Sequence, residues 1–254
     1  MNQTELKQKW LAEEAAAHIH GWDFSHIHGR YSEENDLPWD YKSLIQRYLK
    51  PEMTILDMDT GGGEFLLSLD HPRARMAATE AFPPNVQLCR ETLLPLGVDF
   101  REAAADGILP FADASFDMVI NRHGAYHPQE IARVLKPGGL FITQQVGAKN
   151  DRELVYLLLP ELRGVPHGGN TLASATQEFA DAGLDRIDGG EYFGPIRFFD
   201  MGALVWFARI IVWEFVGFSV ERCFDRLLEA QRILDETGCI ESTIHRFMLI
   251  ARKK

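Results

Sequence analysis

The chain has 254 residues, 46% of them hydrophobic and 25% charged, with a net charge of −11. These proportions suit a globular protein and exclude disordered and fibrous classes, and the length suffices for a large core without disulfide staples. The acidic balance argues against binding nucleic acid through phosphate neutralisation, which needs a basic stripe. The three cysteines, Cys89, Cys223 and Cys239, share no metal-ligand spacing and leave an odd count. That fits a reducing compartment. The opening residues lack an apolar signal core, so a cytoplasmic protein is expected.

In chain order, residues 4–17 have helical composition. They are followed by an aromatic, His-rich stretch, HIHGWDFSHIHGRYSEENDLPWDY, read as a loop. From about Met53 short apolar runs alternate with helical periods, the pattern of an α/β chain with a mostly parallel sheet. Seven strands are expected near residues 53–58, 75–79, 98–101, 116–121, 140–146, 186–192 and 243–251. Helices are expected near 63–69, 85–94, 128–135 and 171–182, with Gly183 as the C-terminal cap of the last. Between the final two strands lies an insertion at about 198–238, holding an apolar helix over 201–218 and an amphipathic helix, SVERCFDRLLEAQRILDET. Arg209 and Glu214 argue against a membrane span for the apolar one, at about 2.5–3.5 kcal/mol each at a membrane centre. The expected organisation is an N-terminal helix and lid over residues 1–45 and a ligand-binding α/β domain over 46–254.

The chemistry centres on Thr54-Ile55-Leu56-Asp57-Met58-Asp59-Thr60-Gly61-Gly62-Gly63-Glu64-Phe65: a strand, an acidic end, a glycine turn and a helix. Glycines let a backbone approach a ligand closely, and a helix N-terminus supplies free N–H groups. No Lys follows the glycines as a Walker loop requires, and the third glycine of G-x-G-x-x-G is missing. Phosphate cradling is therefore poorly supported.

The arrangement resembles the class I S-adenosylmethionine-dependent methyltransferases, in particular their type 11 group, whose first motif reads about D-x-G-x-G-x-G. Asp57, Gly61 and Gly63 match it, while Asp59 stands where the family usually has Gly. Glu80 closes the second strand 17 residues beyond Gly63; Asp106-Gly107, Leu109-Pro110-Phe111, Ser115-Phe116-Asp117 and RVLKPGGLFIT at 133–143 follow in the family's order. The resemblance is strong over about 53–146 and weak over the C-terminal strands. It implies a Rossmann-like sheet with helices on both faces, an N-terminal helical lid and S-adenosylmethionine as cofactor.

It also implies roles. Glu80 accepts hydrogen bonds from the ribose hydroxyls, with Ala81 beside it. Asp106 takes the adenine amino group, with Gly107 at the ring edge. Asp57, Asp59, Thr60, Gly61 and Gly63 form the methionyl side. In the loop after strand four, Asn121, His123 and Tyr126 are the acceptor-side candidates, Asn121 also touching the cofactor; a capping His123 and a packed Tyr126 are equally open. His20, Trp22 and Phe24 are candidates for an aromatic cover, since cation–π attraction suits a sulfonium, against plain packing on the sheet. No metal is expected. A non-Gly residue at 59 is strained if its φ is positive, though Asp tolerates that conformation better than most, and weakened cofactor affinity is expected there.

The leading function is methyl transfer to a small, aromatic or apolar acceptor. One alternative is an RNA base methyltransferase of the guanine type, against which the acidic charge and the absence of a cysteine-rich N-terminal module argue. The other is a non-catalytic protein that binds an adenosyl ligand.

Overall fold

The computed structural model describes residues 2–18, 23–33, 37–103, 107–163 and 169–254. Its elements are α1 (Gln3–Ala15), β1 (Tyr31–Glu33), α2 (Tyr41–Tyr48), β2 (Ile55–Met58), α3 (Glu64–Ser68), β3 (Met76–Glu80), α4 (Pro83–Thr92), β4 (Asp99–Glu102), β5 (Phe116–Arg122), α5 (Pro128–Val134), β6 (Leu135–Val146), α6 (Arg152–Leu158), α7 (Leu172–Asp181), β7 (Leu184–Phe198), α8 (Met201–Ile210), α9 (Phe224–Thr237) and β8 (Ile240–Lys253). The strands order as β1-β7-β8-β6-β5-β2-β3-β4. β4, β3, β2, β5 and β6 pair in parallel. β8 returns antiparallel to β6.

Contacts divide the chain into two units: one of Met1–Asp36, Ala148–Gly168 and Phe193–His245, the other of Leu37–Gly147, Gly169–Tyr192 and Arg246–Lys254. In the second, strand alternation sends neighbouring side chains to opposite faces. Ile55, Met118, Ile120, Ile142 and Ile250 join Ile45 of α2, Leu66 of α3 and Cys89 of α4 in one buried layer. Leu56, Val119, Phe141, Phe247 and Leu249 join Ile131 of α5 and Phe179 of α7 in the other. Every residue of β2 and β3 is buried, as expected of parallel strands covered on both sides. The expected α/β fold with helices on both faces is therefore present.

The first unit has its own core, built on α8, in which nine of ten residues are buried. Trp10 of α1, Leu154 and Leu158 of α6 and Leu227 of α9 pack with Leu204 and Trp206. Asp200 caps α8 by accepting the Ala203 N–H.

Three differences from the expected elements have local causes. An eighth strand, β1, arises in the stretch read as loop; its three residues pair antiparallel with the far end of β7 and are too few to show a periodicity. The apolar helix expected over 201–218 stops at Ile210. Beyond it Arg209 donates to the Phe218 carbonyl, Phe215 and Phe218 fold back into the core, and Glu214 pairs with Arg152 of α6. Helices α2 and α6 are additional; each is only a few residues long, below the length at which a 3.6-residue period stands out. No described helix is long and apolar enough to cross a membrane.

Gly183 follows α7 at φ +85°, with open space where a Cβ would point. Gly183→Ala should therefore lose stability through backbone strain alone, by about 1–2 kcal/mol. A urea midpoint followed by circular dichroism measures this, and an unchanged midpoint would contradict the left-handed cap.

Candidate functional site

The carboxyl ends of β3, β2 and β5, all in the second unit, carry the polar residues. β2 delivers Asp57, which is buried and accepts the Thr60 hydroxyl at 2.6 Å. The chain then turns through Asp59 at φ +53°, Gly61 at +67° and Gly63 at +86°. At Gly61 a Cβ would meet nothing, so its glycine serves conformation and leaves open space; at Gly63 a Cβ would fall 2.6 Å from the Leu93 side chain.

The turn is held from both sides. Glu80, buried at the end of β3, accepts the Gly61 N–H at 2.9 Å on Oε2 and the Ala81 and Phe82 N–H groups, each at 2.9 Å, on Oε1. From α4, the Cys89 thiol donates to the Gly61 carbonyl and the Thr92 hydroxyl to the Gly62 carbonyl. Burial, and then the carboxylates of Glu80, Glu64 and Asp57, push the Cys89 thiol up to about 12, which keeps it protonated as a donor.

Three carboxyl groups thus converge on one turn. Burial raises Asp57 to about 7; the Thr60 hydroxyl and the Arg122 charge act against this, and the charges of Asp59 and Glu80 add to it. Burial and the Glu80 charge raise Asp59 to about 6. Such a site repels anions and favours a cation.

The loop after β5 is also organised. Asn121 is fully buried; its amide nitrogen donates to the Met58 carbonyl and its oxygen accepts from Gln145. Both ends are engaged in joining the strand ends. His123 adopts φ +65°, and its ring lies 3.3 Å from the Gln144 amide, which in turn accepts from Trp39. Crowding by protein and the guanidinium groups of Arg246 and Arg122 push the imidazole below its ordinary value, so it is neutral at pH 7. The residue is exposed, so the two guanidinium charges disfavour its protonation more than dehydration does. Tyr126 packs in the apolar layer against Phe141 and Phe179, with ring centroids 5.8 and 5.3 Å away.

Gly107 has φ +74°, and a Cβ there would fall 2.3 Å from the His127 ring, so glycine serves both conformation and space. Asp106 lies outside the described residues, as do His20 and Trp22. Phe24 sits in the first unit, edge-on to Trp206 at 5.6 Å and tilted against Phe207. The downstream motif residues are structural. Arg133 holds the Leu109 and Phe111 carbonyls and pairs with Glu130; Asp117 accepts the Thr54 N–H and pairs with Lys136.

The residues not anticipated are Cys89, Gln144, Gln145, Gly124 and Tyr41, whose hydroxyl donates to the Asn121 and Ile142 carbonyls. Only the glutamines carry a signal: a Gln pair ending the apolar run LFIT places polar groups at a strand's carboxyl end, where ligands of open α/β sheets bind.

The profile of one family, described as a methyltransferase domain, matches residues 56–143. No curated protein matches the chain in sequence. Among solved structures, a candidate methyltransferase of Bacillus halodurans C-125 is 19% identical with a TM-score of 0.58, covering 84% of this chain and 98% of its own. A functionally unknown protein of Deinococcus radiodurans R1 is 16% identical with a TM-score of 0.56, covering 96% and 97%. The (4+2)-cyclase SpnF is 19% identical with a TM-score of 0.51, covering 97% and 92%. At these identities the likeness is one of fold.

The raised Asp59 has a measurable sign. Its proton is bound more tightly in the folded than in the unfolded chain, so its contribution to stability is present below about pH 4 and lost as pH rises through about 6. Asp59→Asn should gain on the wild type over that window, by about 1–2 kcal/mol once solvent screening is allowed for. Urea midpoints of both proteins at several pH values test this; a pH-independent difference would contradict it.

Proposed function

We propose, from the match of residues 56–143 to the methyltransferase-domain profile, that the protein transfers the methyl group of S-adenosylmethionine to a small acceptor with a flat or apolar body. The observation that carries this reading is the convergence of Asp57, Asp59 and Glu80 on a glycine turn with open space at Gly61. That donor set fits a ligand bearing a sulfonium and an ammonium and disfavours a pyrophosphate. The bound cofactor supplies an electrophilic methyl carbon.

The chain's own residues supply binding and alignment, the main task in a displacement whose nucleophile comes from the substrate. Glu80 is fixed by its backbone donors. Oε1 accepts the Ala81 and Phe82 N–H groups at 2.9 Å, while Oε2 accepts the Gly61 N–H at 2.9 Å and the Asn85 amide only at 3.4 Å; Oε2, with the longer bond to give up, is the oxygen assigned to a ribose hydroxyl. Asp106 and Gly107 are assigned to the adenine, and Ala81 to the ribose side. Asp57, with the Thr60 hydroxyl, orients the turn, while Gly61 and Gly63 leave room for the methionyl part.

On the acceptor side, His123 is assigned a contact as a neutral hydrogen-bonding group. Asn121 is a positioning residue whose amide ties β5 to β2, and Tyr126 shapes the wall. A covering role for the segment with His20, Trp22 and Phe24 remains part of the proposal, although the Phe24 ring is held by Trp206 and Phe207.

The fold alone does not choose the chemistry, as the name of the cyclase among the similar structures illustrates. Turnover to S-adenosylhomocysteine across an acceptor panel separates an enzyme from a binding protein. Glu80→Gln should weaken S-adenosylhomocysteine binding at least tenfold in equilibrium dialysis, because it removes the charge and one acceptor oxygen. Unchanged affinity would overturn the assignment.

A further inference from the structure

Asp59 is held in a conformation that costs energy, and among the described residues no partner offsets it. Its φ of +53° lies in the left-handed region, tolerable for Asp but still unfavourable. The side chain is partly shielded from water, and among the described residues no hydrogen bond or ion pair reaches its carboxylate. A shielded charge without a partner is destabilising. The surroundings nevertheless make room for it: a Cβ on Gly124 would lie 2.3 Å from Asp59 Oδ2 and 2.7 Å from Asn121 Nδ2. Gly124 has no positive φ to justify a glycine, so its missing side chain serves this close approach.

The position of the carboxylate is informative. β2 lies between β3 and β5. Glu80 closes the turn from the β3 side, and Asp59 faces the loop that leaves β5. A ligand whose ribose is held by Glu80 and whose other end lies along the glycine turn therefore has a negative charge at each end of the crevice.

We propose that Asp59 makes the site selective for charge at sulfur, binding the sulfonium donor more tightly than the thioether product. Donor and product differ by the methyl group and one positive charge, so an unpaired carboxylate beside the methionyl end favours the first and speeds release of the second. This inference rests on the cofactor reading above and adds to it a residue that differs from the family's usual Gly. Asn at 59 keeps the shape and tolerates the left-handed backbone while removing the charge; Gly at 59 removes both charge and strain.

The test is calorimetric titration of S-adenosylmethionine and S-adenosylhomocysteine into the wild type, Asp59→Asn and Asp59→Gly. The expected result is a wild-type preference for the donor of about tenfold, falling to threefold or less in both variants, with product affinity unchanged or improved. If both ligands bind and the preference is the same within twofold in all three proteins, the inference is overturned and the cofactor reading stands. If the wild type binds neither ligand, the cofactor reading fails and takes the inference with it. Should one variant fail to fold, the other gives the comparison.

Discussion

The site depends on one carboxylate. Glu80 takes the N–H of Gly61 across the strand ends and those of Ala81 and Phe82 on its own chain, fixing the β2 turn to the end of β3. Without it the Gly61 N–H would lose its side-chain acceptor and the turn its link to the β3 carboxylate, leaving glycines that are free to adopt many conformations with fewer anchors. The Cys89 thiol and Thr92 hydroxyl bind the carbonyls of the same turn from α4. The crevice is thus shaped before any ligand arrives, which reduces the ordering cost of binding. Its chemistry is equally distinctive: carboxyl groups collect where a phosphate site would gather N–H groups and lysine.

The fold was legible in the sequence wherever burial imposes a period. β2, β3, β5 and β6 read as apolar runs because both faces of the sheet are covered, and α7 was bounded by Thr171 at its start and Gly183 at its end. What escaped was short or dictated from elsewhere. β1 exists only through its pairing with β7. The end of α8 is set by Arg209, Glu214 and two phenylalanines returning to the core, which no local pattern announces.

The site shows the same division. Gly61 and Gly63 were readable because a tight turn after a strand favours residues that tolerate positive φ, Asp57 and Glu80 only through the resemblance to the type 11 methyltransferases, and the strain at Asp59 followed from its place in that turn. The roles of Asn121 and Tyr126 were not readable. A polar residue at a strand end looks the same in sequence whether it faces a substrate or, like Asn121, ties two strands through Met58 and Gln145. An aromatic residue in a loop looks the same whether it is exposed or, like Tyr126, packed on Phe141 and Phe179. Cys89, alone in its helix, gave no sign that its thiol holds the turn.

The proposed function requires this carboxylate-lined turn to accept an adenosyl sulfonium and reject a pyrophosphate. Calorimetric titration of the unmodified protein with S-adenosylmethionine and, separately, with a nicotinamide dinucleotide tests it most directly. Saturable binding of the first and none of the second is expected; a dinucleotide that binds while the sulfonium does not would overturn the proposed function.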